Sequence, residues 1–206
     1  MDSYTALFSV ATIWLVAALT PGPNFLVTVR MAITGSRSSS LQTVAGIVVA
    51  TLIWATAGFL GIHSLFKASP WMYVLLKALG GAYLIWLGLK LFWTSTDSTE
   101  ELVTSTSSPA RGWRAFRLGF VTNMANPKTA LFVSGLFAVA MPVGAPIGLG
   151  LSAIAIMVAI SLAWYSTVAW LFASKRVAAC YVLLRKWIDR LAGTCFVVFG
   201  IGLVRE

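Results

Sequence analysis

The sequence predicts an all-α, polytopic membrane protein with six transmembrane helices, and composition is the first reason. Of its 206 residues, 59% are hydrophobic and only 10% are charged, and the mean hydropathy is +0.87. A typical soluble domain carries about 25% charged residues, so these charges are too few to cover a soluble fold of this size. Soluble enzymes and secreted disulfide modules are therefore excluded. Nucleic-acid-binding proteins are excluded too, because basic loops of a membrane protein account for the net charge of +9.

Six apolar segments are the second reason. A transmembrane helix needs about 20 apolar residues, and no segment alternates with the two-residue period of a barrel strand. The first segment begins with Asp2 and lacks a basic stretch, so it is interpreted as a membrane helix and not as a signal peptide. The predicted helices lie at about 5–28, 43–66, 70–93, 115–141, 146–173 and 187–204.

A polar linker divides the single membrane domain, residues 1–206, into two halves. Residues 94–113 are rich in serine and threonine and contain Pro109, which predicts a flexible connection on the cytoplasmic side. Each half then holds three helices, with repeat one at 1–93 and repeat two at 114–206.

The last helices of the two halves resemble each other. Residues 77–88 align without gaps to residues 189–200, with the matched pairs Leu79/Leu191, Gly81/Gly193 and Gly88/Gly200. A unit with an odd number of helices inserts its second copy upside down. The sequence therefore predicts two inverted three-helix repeats, an architecture of transporters.

Basic residues predict the orientation. The first, third and fifth connections, with the end of the third helix, hold eleven basic residues, and the opposite side holds Lys67 and Arg205. By the positive-inside rule the basic side is cytoplasmic, so both termini are predicted outside. The eleven are Arg30, Arg37, Lys90, Arg111, Arg114, Arg117, Lys175, Arg176, Arg185, Lys186 and Arg190.

Proline interrupts the first and fourth helices. Residues 20–24 read Thr-Pro-Gly-Pro-Asn, and residues 123–128 read Asn-Met-Ala-Asn-Pro-Lys. Each proline removes a backbone N–H and frees carbonyls that hydrocarbon cannot satisfy. Broken helices at matching places in two repeats indicate a transporter binding site. The predicted substrate contacts are Pro21, Gly22, Pro23, Asn24, Asn123, Asn126, Pro127 and Lys128.

A packing kink is the alternative for each break, and it is the usual role of a lone proline in a membrane helix. Asparagine near proline at both breaks favours a site, because Asn24, Asn123 and Asn126 are costly in hydrocarbon unless they form hydrogen bonds. The helix that restarts after Pro23 offers free N–H groups and a positive dipole end, which suits a carboxylate.

These motifs carry a family resemblance. The chain resembles the bacterial lysine-exporter/homoserine–threonine-efflux family in residues 18–24, Gly46-Ile47, residues 77–88 and Asn126-Pro127-Lys128. Within the family it is similar to the threonine-efflux branch, at residues 60–63, 162–164 and 186–201. The resemblance spans all six helices and implies export of an amino acid across the inner membrane in exchange for protons.

One departure from the family lies in the second helix. Some relatives carry an acidic residue shortly after the Gly46-Ile47 pair, where this chain has Ala50 and Thr51. The first five predicted helices contain no internal carboxylate, and a buried Asp or Glu would normally meet a dibasic substrate. The absence of such a carboxylate predicts a zwitterion with a neutral side chain, and the resemblance implies that it is small and of the threonine or homoserine type. The proton carrier stays unidentified.

Four ionisable residues are candidates for handling charge. Lys128 either pairs with a substrate carboxylate or reaches asparagine and backbone oxygens and holds the broken helix. His63, Lys77 and Asp189 are candidates for proton coupling. Each has an alternative: His63 is tolerated at an interface, Lys77 snorkels to the membrane surface, and Asp189 pairs with basic neighbours.

Two tryptophans and a hydroxyl complete the predicted site. Trp54 and Trp164 lie near the centres of the second and fifth helices, away from the interfaces where tryptophan is enriched. They either wall the substrate cavity or pack in the core. Thr51 and Ser161 either bond a substrate ammonium group or bridge helices.

Other functions have weaker support. Metal export needs clustered ligands, whereas the chain has one histidine and two cysteines, Cys180 and Cys195, in apolar surroundings. No metal site and no cofactor are predicted. An intramembrane Ser/His enzyme would depend on His63 and Ser64, whose side chains point about 100° apart on a helix. A basic amino acid as substrate, a structural membrane subunit and a homodimer stay open alternatives.

Overall fold

Six α-helices make up the part of the chain that the computed structural model describes. That part covers residues 2–68 and 110–174 except Val143, with isolated positions between 82 and 201, and for 62–68 it covers the backbone alone. No β-strand occurs in these ranges. The helices are α1 (Ser3–Leu19), α2 (Pro23–Thr34), α3 (Arg37–Ala68), α4 (Trp113–Met124), α5 (Pro127–Ala140) and α6 (Ile147–Leu171).

Three predicted elements fall largely outside the described residues. They are the third helix at 70–93, the linker at 94–113 and the sixth helix at 187–204. The alignment between the last helices of the two halves falls there too. The six-span topology and the inverted repeats therefore stay predictions.

Both predicted helix breaks are present. α1 ends at Leu19 and α2 begins at Pro23, and the pair is bent by 54°. α4 ends at Met124 and α5 begins at Pro127. Each new helix starts with a proline, whose missing N–H would have had no intrahelical partner at that position.

α3 begins earlier than hydropathy predicts. The apolar segment starts at about residue 43, whereas the helix starts at Arg37. Ser36 explains the difference, because its Oγ accepts a hydrogen bond from the backbone N–H of Ser39 (3.1 Å) and its carbonyl accepts one from Ser40 (3.0 Å). A serine cap starts a helix through polar residues that a hydropathy scan passes over.

Length and composition identify the helices that can cross a membrane. Among the described residues two qualify, Arg37–Gly61 within α3 and Ile147–Leu171, and the bent pair α1–α2 adds a third if it counts as one span. α5 is a shorter apolar helix. Large apolar side chains face outward, such as Phe8 at 73% and Leu151 at 60% exposed, which suits contact with lipid. The chain is a membrane protein.

The two broken helices pack against each other in reverse order. α1, before the first break, contacts α5, after the second break, while α2 contacts α4. α3 packs against α2, α4, α5 and α6, and α6 also contacts α1 and α2. One apolar core forms around Phe137 and Met157, and a second forms around Ile47 and Val168.

The backbones of α3 and α4 touch at a pair of glycines. A Cβ on Gly46 would overlap the carbonyl oxygen of Phe116, and a Cβ on Gly119 would overlap that of Thr43. Thr43 Oγ1 also donates to the Ala115 carbonyl (3.2 Å). Small residues let membrane helices approach this closely, so the two glycines set the separation of α3 and α4.

Candidate functional site

A small cavity lies where the two helix breaks meet. Its volume, traced by the centre of a water molecule, is about 20 Å³, which is room for one or two waters and not for an amino acid. Side chains from both broken helices, α3 and α6 line it. They are Trp14, Thr20, Asn24, Phe25, Thr51, Asn126, Lys128, Thr129, Phe132 and Tyr165, with Ala17, Ala18 and Gly22.

The Lys128 ammonium completes the end of α1. Because Pro21 has no N–H, the carbonyl of Ala17 lacks the donor that a helix places four residues later. Lys128 Nζ donates to this carbonyl (3.0 Å) and to the carbonyl of Thr20 (2.9 Å). Its side chain is half-buried, with Nζ 6.0 Å from the ring centre of Phe132. Of the two roles predicted for Lys128, the contact with backbone oxygens is therefore observed.

The two helices that restart after the breaks differ at their N-termini. α5 is capped by Asn126, whose Oδ1 accepts from the backbone N–H of Lys128 (3.0 Å). α2 follows Gly22 and has no side-chain cap. Gly22, Asn24 and Phe25 all line the cavity. The first turn of α2, with its N–H groups and positive dipole end, therefore opens onto the cavity.

Asn123 is fully buried and uses its whole hydrogen-bonding capacity. Its Nδ2 donates to the carbonyl of Ile47 (2.7 Å) and to Thr51 Oγ1 (2.9 Å). Its Oδ1 accepts from Asn24 Nδ2 (2.9 Å) and Thr129 Oγ1 (2.7 Å). Two N–H groups and two lone pairs are all that a primary amide offers. Asn123 thus joins α2, α3, α4 and α5.

The side-chain amide of Asn24 has an acceptor, Oδ1, that no described residue uses. The side chain is 6% exposed, and its Oδ1 is buried without a hydrogen-bond partner in the described part of the chain. The Tyr165 side chain lies beside this amide, but it gives Oδ1 no hydrogen bond of ordinary geometry. Buried polar atoms without a partner are rare. Since Asn24 lines the cavity, a ligand there would meet this acceptor.

Trp54 and Trp164 pack against the two apolar cores and do not line the cavity. Trp54 Nε1 donates to the backbone carbonyl of Asn123 (3.3 Å), in the last turn of α4. Trp164 Nε1 is buried and has no hydrogen-bond partner among the residues that the structure describes. The indole N–H of Trp54 is therefore hydrogen-bonded, whereas that of Trp164 has no partner among the described residues.

The cavity brings together five of the eleven predicted contact residues: Gly22, Asn24, Thr51, Asn126 and Lys128. The other six do not line it. They are Pro21, Pro23 and Pro127 at the breaks, Asn123 behind Asn24, and the two tryptophans.

Sequence reasoning missed most of the aromatic lining. Trp14 Nε1 donates to the Met157 carbonyl (3.0 Å) and to Ser161 Oγ (2.9 Å), which ties α1 to α6. Ser161 and Tyr165 are four residues apart and share one face of α6. α6 also carries Ser152, Ser166 and Thr167, so this spacing does not by itself identify the face in the sequence.

The candidates for proton coupling are not tested by this geometry. Lys77 and Asp189 lie outside the described residues, and His63 lies in α3 where the backbone alone is described. Within the described ranges, no group of three or more histidine, cysteine or acidic residues is placed to hold a metal ion.

The fold and the cavity define an all-helical membrane protein in which two proline-broken helices meet at a polar centre. The family model for the LysE type translocators matches residues 15–206, which include both breaks. The chain belongs to this family, as its motifs predicted. No solved structure matches the chain.

Similar proteins cover nearly the whole chain. The threonine efflux protein of Salmonella typhi is 33% identical over 203 residues, which are 96% of this chain and 96% of that protein. The threonine efflux protein of Escherichia coli (strain K12) is 33% identical over 202 residues, 95% and 96% of the two chains. A leucine efflux protein of Salmonella choleraesuis is 24% identical over 189 residues, 90% and 88% of the two chains.

Proposed function

We propose that the protein is a secondary active exporter, which moves a small neutral amino acid of the threonine or homoserine type out of the cytoplasm by proton antiport. Family membership and the similarity to threonine and leucine efflux proteins support amino-acid export. The observation that carries the proposal is the cavity between the two breaks, with the Lys128 ammonium and the N-terminus of α2 in its wall. The protein acts in the bacterial inner membrane, with both termini outside.

The substrate carboxylate has two positive partners in this proposal. The uncapped first turn of α2 offers N–H groups, and Lys128 offers an ammonium. A Cβ built on Gly22 would lie 3.6 Å from Lys128 Nζ, so one carboxylate can reach both partners at once.

The side chain of the substrate is neutral because the cavity offers it no counter-ion. No aspartate or glutamate is among the described residues that line the cavity. A second cation beside Lys128 would be buried near a like charge, and burial of an unpaired charge is strongly unfavourable.

Packing supports two inverted repeats. Exchanging α1, α2 and α3 with α4, α5 and α6 turns the contact α1–α5 into α4–α2. The same exchange turns α1–α6 into α4–α3 and α2–α6 into α5–α3, and all of these pairs are in contact, whereas the α2–α3 contact has no equally close counterpart between α5 and α6. A two-fold relation between the halves produces such a pattern, and this relation is common in transporters.

α3 and α6 also correspond in sequence and burial. Residues 51–60 agree with 161–170 in burial class at nine of ten positions. Between 41–60 and 151–170 the identical pairs are Leu41/Leu151, Ala45/Ala155, Val48/Val158, Leu52/Leu162 and Trp54/Trp164. This correspondence supports repeats that extend beyond the last helix of each half.

The two helices accept equivalent hydrogen bonds. In α3, the Ile47 carbonyl and the Thr51 hydroxyl accept from Asn123 of the second half. At the corresponding places in α6, the Met157 carbonyl and the Ser161 hydroxyl accept from Trp14 of the first half. Each half thus holds the broken helix of the other, which supports rocking of one repeat against the other during transport.

A transport assay tests the proposal. Protein reconstituted in liposomes and loaded with labelled threonine should release it when a pH gradient is imposed, and lysine should not be released. Asn24→Ala and Lys128→Ala should abolish release, with both variants still folded. If no neutral amino acid moves in either direction under the gradient, export of neutral amino acids is wrong. The proton carrier is proposed among His63, Lys77 and Asp189, which the same assay tests by substitution.

A further inference from the structure

We propose that Asn123 is a positioning residue, which turns the oxygen of the Asn24 amide towards the cavity so that Asn24 binds the ammonium group of the substrate. The inference rests on the proposed function, and it changes the predicted role of Asn123 from a substrate contact to a residue that acts through Asn24. It also names which end of the amino acid each side of the cavity takes.

The backbone carbonyl of Ile47 determines how the Asn123 amide is oriented. The oxygen of Ile47 can only accept a hydrogen bond, so the group of Asn123 that faces it at 2.7 Å must be Nδ2. The other arm of the Asn123 amide is then Oδ1, which receives the hydroxyl of Thr129 at 2.7 Å. No rotation of the Asn123 amide keeps both of these bonds.

The orientation of the Asn123 amide in turn determines that of the Asn24 amide. Since Asn123 Oδ1 can only accept, the group of Asn24 that lies 2.9 Å from it must be Nδ2. Asn24 Oδ1 is therefore the arm that remains, and it is buried without a partner among the described residues. An acceptor left in this state loses its hydration and gains nothing until a donor arrives.

The cavity then offers two kinds of group. Lys128 and the first turn of α2, to which Asn24 itself belongs, supply positive charge, whereas the Asn24 side chain supplies an acceptor and the Tyr165 hydroxyl lies beside it. An α-amino acid carries an anion and a cationic donor on one carbon, and only the ammonium can donate to Asn24 Oδ1 with charge assistance. In a state wide enough for an amino acid, the same groups therefore select zwitterions by their ammonium as well as by their carboxylate.

Competition measurements on reconstituted protein test the inference. Labelled threonine is transported in the presence of unlabelled 2,3-dihydroxybutyrate, in which a hydroxyl replaces the ammonium, or threoninol, in which a hydroxymethyl group replaces the carboxylate. Wild type should discriminate against dihydroxybutyrate by roughly 10- to 100-fold, the usual effect of a hydrogen bond to a charged group. Asn24→Ala should lose most of this discrimination and keep the discrimination against threoninol.

Variants of Asn123 separate positioning from folding. Asn123→Leu removes both the Ile47 and the Asn24 contacts and should reduce ammonium discrimination like Asn24→Ala. Ser134→Ala is the matched control in α5, because the Ser134 hydroxyl donates to the Ala130 carbonyl of its own helix and does not line the cavity, and this variant should discriminate like wild type.

The outcomes are distinguishable. If Asn24→Ala weakens the binding of threonine and of dihydroxybutyrate equally, so that the ratio of their affinities stays at the wild-type value, Asn24 does not bind the ammonium and the inference is wrong while amino-acid export stands. Failure of wild type to move threonine or any other neutral amino acid overturns the proposed function, and the inference falls with it.

Discussion

The ammonium of Lys128 stands in for the backbone N–H that Pro21 lacks. Proline removes the donor for the Ala17 carbonyl, and Lys128 Nζ, from the other broken helix, lies 3.0 Å from that oxygen. A side chain from the second break therefore satisfies a carbonyl that the first break leaves without its helical donor. The contact also keeps a positive charge beside the N-terminus of α2, where the proposed substrate carboxylate binds.

Replacement of this lysine should cost stability as well as transport. Lys128→Met leaves two half-buried carbonyls without their donor, and the free energy of unfolding should fall by about 2 kcal/mol or more. Thermal unfolding in detergent, followed by circular dichroism, measures the change. A melting temperature equal to that of wild type would contradict the capping role.

A double-mutant cycle with Pro21 tests whether Lys128 stabilises the protein by replacing the N–H that Pro21 lacks. Pro21→Ala restores an N–H four residues after Ala17, so the loss caused by Lys128→Met should be smaller in the Pro21→Ala background. Independent sites add within about 0.5 kcal/mol, and a coupling beyond that value is expected here. Simple additivity would mean that Lys128 does not replace the proline N–H.

Two glycines of α3 should respond in opposite ways to the same substitution. Gly46→Ala forces a methyl group into the backbone of α4 and should cost about 1–3 kcal/mol or prevent folding. Gly61→Ala is the matched control in the same helix, because a Cβ there meets nothing within 4 Å among the residues that the structure describes. It should be neutral or stabilise by up to about 1 kcal/mol through helix propensity. Yield and melting temperature of the two variants give the comparison, and equal effects would contradict the close contact of α3 with α4.

A serine at the start of α2 should compete with the substrate. Gly22 has extended backbone that any residue adopts, and among the described residues a Cβ there meets the Lys128 side chain alone, at 3.5 Å. Gly22→Ser adds the missing cap and should stabilise the protein by a few tenths of a kcal/mol. Its hydroxyl then occupies the N–H groups proposed for the carboxylate, so the KM for threonine should rise. An unchanged KM would place the carboxylate elsewhere.

Trp54 and Trp164 lie at corresponding positions of α3 and α6. Their substitution should shift the equilibrium between the states of the transport cycle in opposite directions. Trp54→Phe removes the bond to the Asn123 carbonyl and disfavours the present arrangement. Trp164→Phe removes a buried donor that has no partner among the described residues, and we expect this donor to be used when the halves exchange roles. A hydrogen bond of about 1 kcal/mol shifts the balance about fivefold. Thiol labelling of Thr51→Cys from each side of the membrane, with Cys180 and Cys195 replaced by alanine and Trp170→Phe as control, measures the shift. Shifts in the same direction would refute the exchange.

The position of the breaks could be predicted from sequence because proline acts locally. Pro23 and Pro127 each start a helix whatever surrounds them. The start of α3 could not be found by hydropathy, because Ser36 sets it through hydrogen bonds.

The division of roles between Asn24 and Asn123 could not be predicted either. Both are polar residues beside a break, and the carbonyl of Ile47, 76 residues from Asn123, decides which amide is satisfied and which faces the cavity. Tyr165 escaped notice because a tyrosine in an apolar helix carries no signal until its neighbours are known.

A cavity whose only charged lining residue among those described is Lys128 has an electrical consequence. A zwitterion carries no net charge, so the membrane voltage does no work on it as it passes through such a cavity. In proton antiport the voltage then acts on the proton alone, and each proton that enters contributes about 2.3 kcal/mol per 100 mV, inside negative, to expulsion of the amino acid. Resting cells would therefore keep exporting after their pH gradient has collapsed, for as long as they hold a potential.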